Sequence, residues 1–446
     1  MYYKRLIDKQ LLQWKKSRRR QPLLLRGARQ VGKSSAVREL GKHFQYFAEV
    51  NLEKMPALRQ LFSENINVHS TCEKISGTLG VPIIPGKTLL FIDEIQLCKE
   101  AIMSLRYFKE DFPELHVIAA GSLLEFVMEE LPSFGVGRIR SMYMYPFSFD
   151  EFLLAQGLER KVEYKNCCST ESPLSDLSHQ EMVDQLRSYF LVGGMPAAVS
   201  TWVETRNYLE TTRIHHDILD TYQDDFAKYK KRVSPTLLHQ VLRSVAVQAG
   251  SKFIYAHVGN DTTSILVKDA LHLLTLAGLI APVTHSDGTG IPLGACENQN
   301  YRKYLFFDIG IMLTLLGTPA SDILLASNTD LVNKGAIAEM FVGLELQKYQ
   351  DCFVKSELFY WQNTSRNGNA EVDYLLQKEN KIVPLEVKAN TRGSMQSLWV
   401  FMQKRNSSNA IRTSLENFGS FNYNDLEKDQ VRCVKIIPLY ALHSLF

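Results

Sequence analysis

The feature that most constrains this chain is a glycine-rich segment, Gly27-Ala-Arg-Gln-Val-Gly-Lys-Ser34, between an apolar run and a helix-forming stretch. It matches the pattern G-x-x-x-x-G-K-S in the strand, loop and helix context that gives the pattern its meaning. The glycines let the loop curl, so that successive backbone N–H groups point at one phosphate, and the following helix adds its N-terminal N–H groups. A glycine-containing turn with a chance lysine is the alternative. The flanking segments favour a nucleotide site on a parallel α/β sheet.

Two side chains in this loop have their own expected contacts. Lys33 would reach the β- and γ-phosphates, and the Ser34 hydroxyl would bind Mg²⁺. The predicted nucleotide-binding residues are Gly27, Ala28, Arg29, Gln30, Val31, Gly32, Lys33, Ser34 and Ser35.

A second motif, Thr88-Leu-Leu-Phe-Ile-Asp-Glu-Ile-Gln96, is an apolar run that ends in two carboxylates, which is typical of a buried parallel strand. Asp93 would emerge beside the phosphate loop and hold Mg²⁺ through Ser34 and water. Glu94 points elsewhere and could polarise the attacking water. Together with the loop, this motif predicts ATP hydrolysis.

Two further segments offer groups for the γ-phosphate. A third apolar run, His116 to Ser122, ends in a hydroxyl, and Ser122 is our candidate γ-phosphate sensor, although a strand-end turn explains it equally well. Gly137-Arg-Ile-Arg140 precedes a final strand of this region. Arg138 or Arg140 could reach a γ-phosphate in the same or a neighbouring subunit, and a surface ion pair would also account for either. Arg138 is the preferred catalytic candidate.

Composition limits the remaining classes. A chain of 446 residues has room for about three domains, and 45% hydrophobic with 22% charged residues is ordinary for a globular protein. The net charge of +3 is too small to demonstrate a nucleic-acid partner. Seven cysteines without a C-x-x-C pair argue against a disulfide framework. No signal-peptide core or run of ~18–20 apolar residues is present, so we expect a soluble, cytoplasmic protein without membrane contact.

The middle of the chain suggests a winged helix-turn-helix. Leu237 to Val247 is apolar at helical spacing, and a second helix runs from Thr262 to about Ala277 with Leu266 on its core face. Leu279 to Val283 and Tyr304 to Asp308 would be the wing strands.

Such a module often enters a DNA major groove. Its second helix offers Lys268, Asp269 and His272 outward, a weakly basic set, so a packing or protein-contact module is equally consistent with the pattern. A local basic run precedes it, comprising Lys228, Lys230, Lys231 and Arg232.

The last section carries its own candidate chemistry. Asp373 lies in one predicted strand, and Glu386 and Lys388 share one face of the next. Paired strands would bring Asp373 near Glu386, giving two carboxylates for a divalent metal and a lysine to activate water. Glu339, on a preceding helix among apolar residues, is a third candidate ligand. A solvated strand edge would explain E-x-K alone, but buried strands rarely carry charges unless these pair or bind metal.

These motifs, in this order, resemble those of a large prokaryotic family of AAA+-type P-loop ATPases whose C-terminal domain is related to PD-(D/E)xK nucleases. The matching pieces are Gly27–Ser34, Leu89–Gln96, Ala120–Ser122, Gly137–Arg140 with Tyr145–Phe149, Gly193-Gly-Met-Pro196, Glu371–Asp373 and Glu386–Lys388. The Pro-Asp of the nuclease signature is Val372-Asp373 in this chain. The resemblance implies an α/β fold class: a P-loop parallel sheet, a helical and winged-helix middle, and a restriction-endonuclease-like end.

The expected domains are an ATPase domain at 1–155, a helical lid or linker at 156–234, the winged helix at 235–325 and the nuclease-like domain at 326–446. We expect ATP and Mg²⁺ as cofactors, with a second Mg²⁺ or Mn²⁺ in the C-terminal domain. DNA is the expected partner, with a protein partner and homo-oligomer formation left open. The expected function is ATP-driven control of a module that binds and could cut DNA. The rivals are a regulatory switch whose nuclease-like end is a non-catalytic platform, and a small-molecule kinase, which the Asp93-Glu94 pair disfavours.

Overall fold

The computed structural model describes residues 2–62, 67–122, 124–129, 137–226, 233–259, 262–324, 335–364, 368–388, 395–425 and 428–446. The chain forms two compact units. The first comprises residues 1–147, 276–278 and 351–355, and the second comprises residues 148–275, 279–350 and 356–446.

The first unit is built on parallel strands connected by helices. The strands are β1 (Leu23–Arg26), β2 (Tyr46–Asn51), β3 (Thr88–Asp93), β4 (His116–Ala120) and β5 (Arg140–Tyr143). The helices are α1 (Leu6–Lys16), α2 (Lys33–Gly41), α3 (Val68–Leu79), α4 (Lys99–Asp111) and α5 (Leu124–Glu129). Short 3₁₀ helices span Pro56–Phe62 and Ile95–Leu97.

The sheet of the first unit has the order β2-β3-β4-β1-β5, with each strand parallel to its neighbours. All six residues of β3 are buried, as expected of a central parallel strand that reads as a continuous apolar run. Because β1, β4 and β3 are consecutive in the sheet, the loops after their carboxyl ends meet at one edge. The predicted parallel α/β sheet is therefore confirmed.

Helices dominate the first half of the second unit and recur between its later strands. The helices of this unit are α6 (Phe149–Ala155), α7 (Glu159–Cys167), α8 (Asp176–Val192), α9 (Pro196–Thr205), α10 (Tyr208–Phe226), α11 (Pro235–Val247), α12 (Ser264–Leu276), α13 (Ile309–Leu315), α14 (Ser321–Leu324), α15 (Gly335–Tyr349) and α16 (Gln396–Arg405). The 3₁₀ helices are Tyr255–His257, Leu293–Cys296 and Leu439–Leu445. Among the described residues, no helix combines the length and apolar character that crossing a bilayer requires.

The strands of the second unit form one mixed sheet. They are β6 (Ile280–Ser286), β7 (Glu297–Phe306), β8 (Leu358–Gln362), β9 (Glu371–Lys378), β10 (Lys381–Val387), β11 (Asn409–Ser414), β12 (Gly419–Asp425) and β13 (Gln430–Pro438). Their order is β12-β13-β11-β10-β9-β8-β6-β7. This is the separate α/β sheet expected at the end of the chain.

The hairpin β6–β7, expected as the wing, is part of that same sheet. Its strand β6 pairs in parallel with β8, with Val283 opposite Leu358. The sheet therefore continues across the domain boundary expected near residue 325. The four expected domain limits stay predictions. Leu266, expected on the core face of α12, is 42% exposed, because the buried face of that helix is formed by Val267, Ala270, Leu271, Leu273 and Leu274.

The Gly193-Gly-Met-Pro196 turn has a local structural reason. The N–H of Gly194 donates to Asp308 Oδ2 at 2.7 Å, while Asp308 Oδ1 caps helix α13 through the N–H of Ile311 at 3.0 Å. Gly193 has φ +68°, and a Cβ there would overlap the Asp308 carboxylate. Glycine is therefore needed for the carboxylate to approach the backbone.

A buried lysine links helices α6 and α7 to the end of the chain. Lys165 is fully buried, and its Nζ lies 2.8 Å from Asp150 Oδ1 and 2.7 Å from His443 Nδ1. Since an ammonium group only donates, His443 must be neutral at this nitrogen. Burial, and then the charge of Lys165, lower the pKa of His443 to about 4.

This arrangement predicts acid sensitivity. The pKa of His443 is depressed in the folded chain, so between pH 6.5 and about 4 the unfolded chain binds a proton that the folded chain does not. Stability is thus lost as pH falls through this window, by roughly 3 kcal/mol in the free energy of unfolding. Melting curves between pH 7 and 5 should show a flatter pH dependence in His443→Gln, whereas the exposed control His257→Gln should follow the wild type. Identical slopes in all three proteins would contradict this account.

Candidate functional site

The loop between β1 and α2 has the backbone of a phosphate-binding loop. Gly27, Gln30 and Gly32 have φ values of +141°, +64° and +98°, and Gly32 is the N-cap of α2. A Cβ on Gly27 would overlap the carbonyl oxygen of Met144, so this position requires glycine. The loop thus curls at the N-terminus of a helix, where N–H groups and the helix dipole favour an anion.

Lys33 lies inside this curl. Its side chain is buried, and Nζ donates to the carbonyl oxygens of Gly27 at 2.8 Å and Ala28 at 2.7 Å. Burial lowers the pKa of Lys33 to about 8, against the opposing charges of Glu94 and Asp93. Phosphate oxygens are the partners that could replace the two carbonyl groups and restore the full charge.

Ser34 and Asp93 meet next to the loop. The Ser34 hydroxyl lies 3.0 Å from both carboxylate oxygens of Asp93, and Asn51 Nδ2 donates to Oδ2 at 3.2 Å. Burial raises the pKa of Asp93, while the Ser34 hydrogen bond opposes this. Hydroxyl and carboxylate oxygens are ligands that Mg²⁺ prefers, so the donor set of Ser34 and Asp93 fits this ion.

Glu94 has a left-handed backbone conformation, and its carboxylate accepts a hydrogen bond from a nearby side chain. Its φ is +54°, in the left-handed region that non-glycine residues rarely adopt. Gln96 Nε2 donates to Glu94 Oε2 at 2.5 Å, and Gln96 Oε1 is buried without a hydrogen-bond partner. A Cβ on Gly121 would overlap that oxygen, so the glycine after β4 makes room for Gln96. Gln96 therefore orients the carboxylate proposed to act on water.

Sequence reasoning missed Asn51 and Gln96 as site residues. Gln96 was within the quoted motif, and Asn51 is the polar residue that closes strand β2. A polar side chain at the carboxyl end of a strand was the available signal for Asn51, whereas Gln96 lies in the short 3₁₀ helix that follows β3.

The remaining γ-phosphate candidates differ in their surroundings. Ser122 is half-buried and follows Gly121 at the end of β4. Arg138 is 52% exposed and forms an ion pair with Glu110, which is the surface alternative considered for it. The Arg140 guanidinium lies 3.8 Å from the centre of the Phe353 ring. The catalytic roles of Ser122 and Arg138 stay predictions.

In the second unit, the hairpin β9–β10 brings the C-terminal carboxylates together as the pattern predicts. The strands are antiparallel, with Tyr374 opposite Leu385. Asp373 Oδ2 accepts from the N–H of Val387 at 2.7 Å. The buried Glu386 is paired with Lys388, whose Nζ lies 2.7 Å from Oε1.

A lysine that the sequence reasoning missed joins this group. Lys303 on β7 is 2% exposed at its side chain, and Nζ lies 2.7 Å from Glu339 Oε1 on α15 and also pairs with Glu371 Oε1 on β9. Burial alone would lower the pKa of Lys303, but the charges of Glu339, Asp373 and Glu371 raise it above its ordinary value. The ammonium group is therefore charged at neutral pH. The signal available in the sequence was a lysine directly before the apolar run Tyr304-Leu-Phe-Phe307.

Burial raises the pKa of two carboxyl groups in this group above the ordinary value. It raises the pKa of Glu339 to about 8, against the charge of Lys303. It also raises the pKa of Glu386 to about 8, with Asp373 adding to the effect. Each of these buried carboxyl groups is therefore ionised only beside a cation, and otherwise it takes up a proton.

The described residues do not show a preformed set of ligands for the expected second metal ion. Across the part of the chain that the structure describes, no three His, Cys, Asp or Glu side chains are placed to ligate one metal ion. The assignment of a second metal to Glu339, Asp373 and Glu386 stays a prediction; in the structure, Lys303 is paired with Glu339 and Lys388 with Glu386. Sequence reasoning counted one of these two lysines.

The exposed side chains of the predicted helix-turn-helix agree only partly with the prediction. Lys268, Asp269 and His272 are exposed on α12, as predicted. The basic run at 228–232 lies outside the described residues. Ile265 and Leu266, at the start of the same helix, are 72% and 42% exposed.

Comparisons with known proteins identify the first unit. Residues 19–153 match the model of an AAA domain. Residues 183–322 and 334–442 match two domains of unknown function, DUF8612 and DUF4143. Among curated proteins, none matches the chain.

Two solved structures are similar at low identity. The Walker-type ATPase PABY2304 of Pyrococcus abyssi is 16% identical, with 71% of this chain and 96% of that chain covered and a TM-score of 0.46. The signal transduction ATPase PH0952 of Pyrococcus horikoshii, which has a tetratricopeptide repeat sensor, is 11% identical, with 77% and 48% covered and a TM-score of 0.28. The AAA match and the loop geometry together make the first unit a P-loop ATPase domain that binds ATP.

Proposed function

We propose that this protein is a Mg²⁺-dependent ATPase that uses ATP hydrolysis to control a DNA-binding module in its second unit. The observation that supports hydrolysis best is the contact of Ser34 with Asp93 beside a Glu94 oriented by Gln96. A protein that only bound ATP would need the first pair but not a positioned base.

Each side chain has a separate role in this proposal. Lys33 binds the β- and γ-phosphates in place of its present carbonyl partners. Ser34 and Asp93 hold Mg²⁺, which would offset charge on the phosphate oxygens. Glu94 accepts a proton from the attacking water while Gln96 keeps its carboxylate in position. Ser122 would contact the γ-phosphate, and Arg138 could do so in a neighbouring subunit of a homo-oligomer.

The DNA-directed part of the proposal depends on the second unit. The helix α12 carries the exposed Lys268 and His272. Asp373, Glu386 and Lys388 are the residues that cleavage would use, through a second Mg²⁺ or Mn²⁺. Because Glu386 and Lys388 are paired with each other in the structure, cleavage is the less supported half of this proposal.

A regulatory switch with a non-catalytic platform is the second candidate. Two observations favour it. Ile265 and Leu266 on α12 are exposed apolar side chains, which are better suited to contact a partner protein than a DNA phosphate. Lys303 occupies Glu339, a candidate metal ligand, as an ion-pair partner. In this version ATP controls binding of DNA or of a partner protein, without cleavage.

ATP turnover with and without duplex, single-stranded and branched DNA tests the proposal. Coupling between two binding sites typically changes affinity by about 5- to 150-fold, so we expect DNA to change the ATP concentration for half-maximal turnover by about 5-fold or more. DNA affinity should fall steeply with salt, and Lys268→Ala should flatten that slope if α12 contacts phosphates. Asp269→Asn, on the same exposed surface, is the matched control and should not weaken binding. If no DNA binds at low salt, with or without ATP, the platform for a protein partner replaces this proposal.

A further inference from the structure

We propose that Lys303 is the resident cation of the C-terminal carboxylate cluster, and that this cluster is held together without a divalent metal. The carboxylate cluster consists of Glu339, Glu371, Asp373 and Glu386. The inference bears on the second candidate function above, because a cluster without metal would bind rather than cut.

The position of Lys303 Nζ carries the argument. It contacts carboxylates from two different elements, Glu339 on helix α15 at 2.7 Å and Glu371 on strand β9, while its side chain is 2% exposed. Two carboxylate oxygens converge on this one buried nitrogen, that of Glu339 from the interior and that of Glu371 from a side chain that is 30% exposed. That is the geometry in which a small cation would otherwise compensate the charge.

The other two carboxylates have partners from their own hairpin. Glu386 is paired with Lys388 at 2.7 Å, and Asp373 accepts the N–H of Val387 at 2.7 Å. Each member of the cluster therefore has a positive charge or a backbone donor at hydrogen-bond distance. Only Glu386 Oε2 is buried without a hydrogen-bond partner among these described carboxylates.

A divalent ion would have to compete with these contacts. Mg²⁺ requires near-octahedral oxygen ligands at about 2.0–2.1 Å, and Ca²⁺ takes 6–8 oxygens. The Oε1 atoms of Glu339 and Glu371 are already engaged by the Lys303 ammonium group, which an ion bound at these two atoms would have to displace. A buried ammonium without its carboxylate partners is strongly unfavourable, so the displacement costs more than a surface ion pair would.

The position of Lys303 in the sheet indicates what the cluster does in the fold. Lys303 lies on β7 opposite Val283 of β6, and β6 pairs with β8. Its ion pairs therefore join the β6–β7 hairpin to α15 and β9. The charges fasten the hairpin to the rest of the second unit, as a metal ion can in other proteins.

Removing the ammonium group should turn the cluster into a metal site. Without Lys303, Glu339, Glu371 and Asp373 repel one another unless a cation lies between them. Lys303→Gln keeps most of the side-chain length but not the charge, and Lys303→Arg keeps the charge. The double variant Lys303→Gln with Asp373→Asn also removes one carboxylate from the cluster that has lost its ammonium group.

The test is the melting temperature of the full-length, nucleotide-free chain in EDTA, Mg²⁺ and Mn²⁺. We expect the wild type and Lys303→Arg to respond to metal no more than Asp373→Asn does, since that variant keeps the Ser34–Asp93 donor set and removes a cluster carboxylate. Lys303→Gln should melt lower in EDTA and recover by at least about 4 °C in Mn²⁺, because an ion that binds only the folded state stabilises it. The double variant should lose that recovery, which locates the ion in the cluster.

Two results would overturn the inference. One is a wild type that Mn²⁺ stabilises and whose response disappears in Asp373→Asn. The other is a folded Lys303→Gln that does not respond to metal. If Lys303→Gln does not fold, Mn²⁺ titration of the wild type and Asp373→Asn decides: equal binding supports the inference, and loss of a site in Asp373→Asn overturns it. Because none of these readouts involves ATP turnover, failure here is distinguishable from failure of the ATPase proposal.

Discussion

Replacing Glu94 by glutamine is expected to slow ATP hydrolysis by about 10²–10⁴-fold, the usual contribution of a general base, while ATP still binds. Glutamine keeps the size of the side chain and its contact with Gln96, but it cannot accept a proton from water. Phosphate release measured in a single turnover gives the rate of hydrolysis. Equilibrium binding of a fluorescent ATP analogue gives the affinity.

Two further variants make this result specific. Gln96→Ala should slow hydrolysis less than Glu94→Gln, because the carboxylate remains but loses the 2.5 Å contact that orients it. Glu110→Gln is the control, since Glu110 is partly exposed and pairs with Arg138 on the surface. Full turnover in Glu94→Gln would remove Glu94 from the proposed mechanism. A large loss in Glu110→Gln would instead direct attention to Arg138.

Replacing Lys33 by alanine is expected to abolish detectable ATP binding. Hydrogen bonds to charged groups contribute ~1.5–3 kcal/mol each, so losing contacts to the β- and γ-phosphates should weaken affinity by roughly 10²–10⁴-fold. The carbonyl groups of Gly27 and Ala28 lose their donor in the variant and can be solvated, so the fold should persist. Isothermal titration with ATP and Mg²⁺ measures the affinity, and circular dichroism checks the fold. Wild-type affinity in a folded Lys33→Ala would refute the assigned role.

The contrast between these two variants separates binding from hydrolysis. Loss of Lys33 should act on affinity, whereas loss of Glu94 should act on turnover at saturating ATP. If both variants lost affinity equally, Glu94 would be a structural partner of the loop. Its left-handed backbone would then be part of the loop fold and not of water activation.

Local sequence rules were sufficient for the first unit. The glycine pattern of the phosphate loop, the continuous apolar run of β3 and its terminal Asp93 each specify a conformation within a few residues. Parallel strands place their carboxyl ends at one edge, so the meeting of Ser34 with Asp93 followed from the strand predictions. The same was true of the β9–β10 hairpin, whose alternation and turn residues brought Asp373 near Glu386.

The ATP-binding loop, the parallel sheet that carries it and the hairpin of the C-terminal carboxylates could therefore be predicted from local residues. Which charges meet these groups depends on contacts between distant parts of the chain. Lys303 is 36 residues from Glu339 and 68 from Glu371 along the chain, and nothing in the local pattern of β7 predicts that its hairpin pairs with β8. Strand pairing over such distances depends on the packing of the whole sheet, whereas a loop or a strand depends on its own residues. For the same reason Gln96 was recognisable as part of a motif, but its contact with Glu94 required the fold.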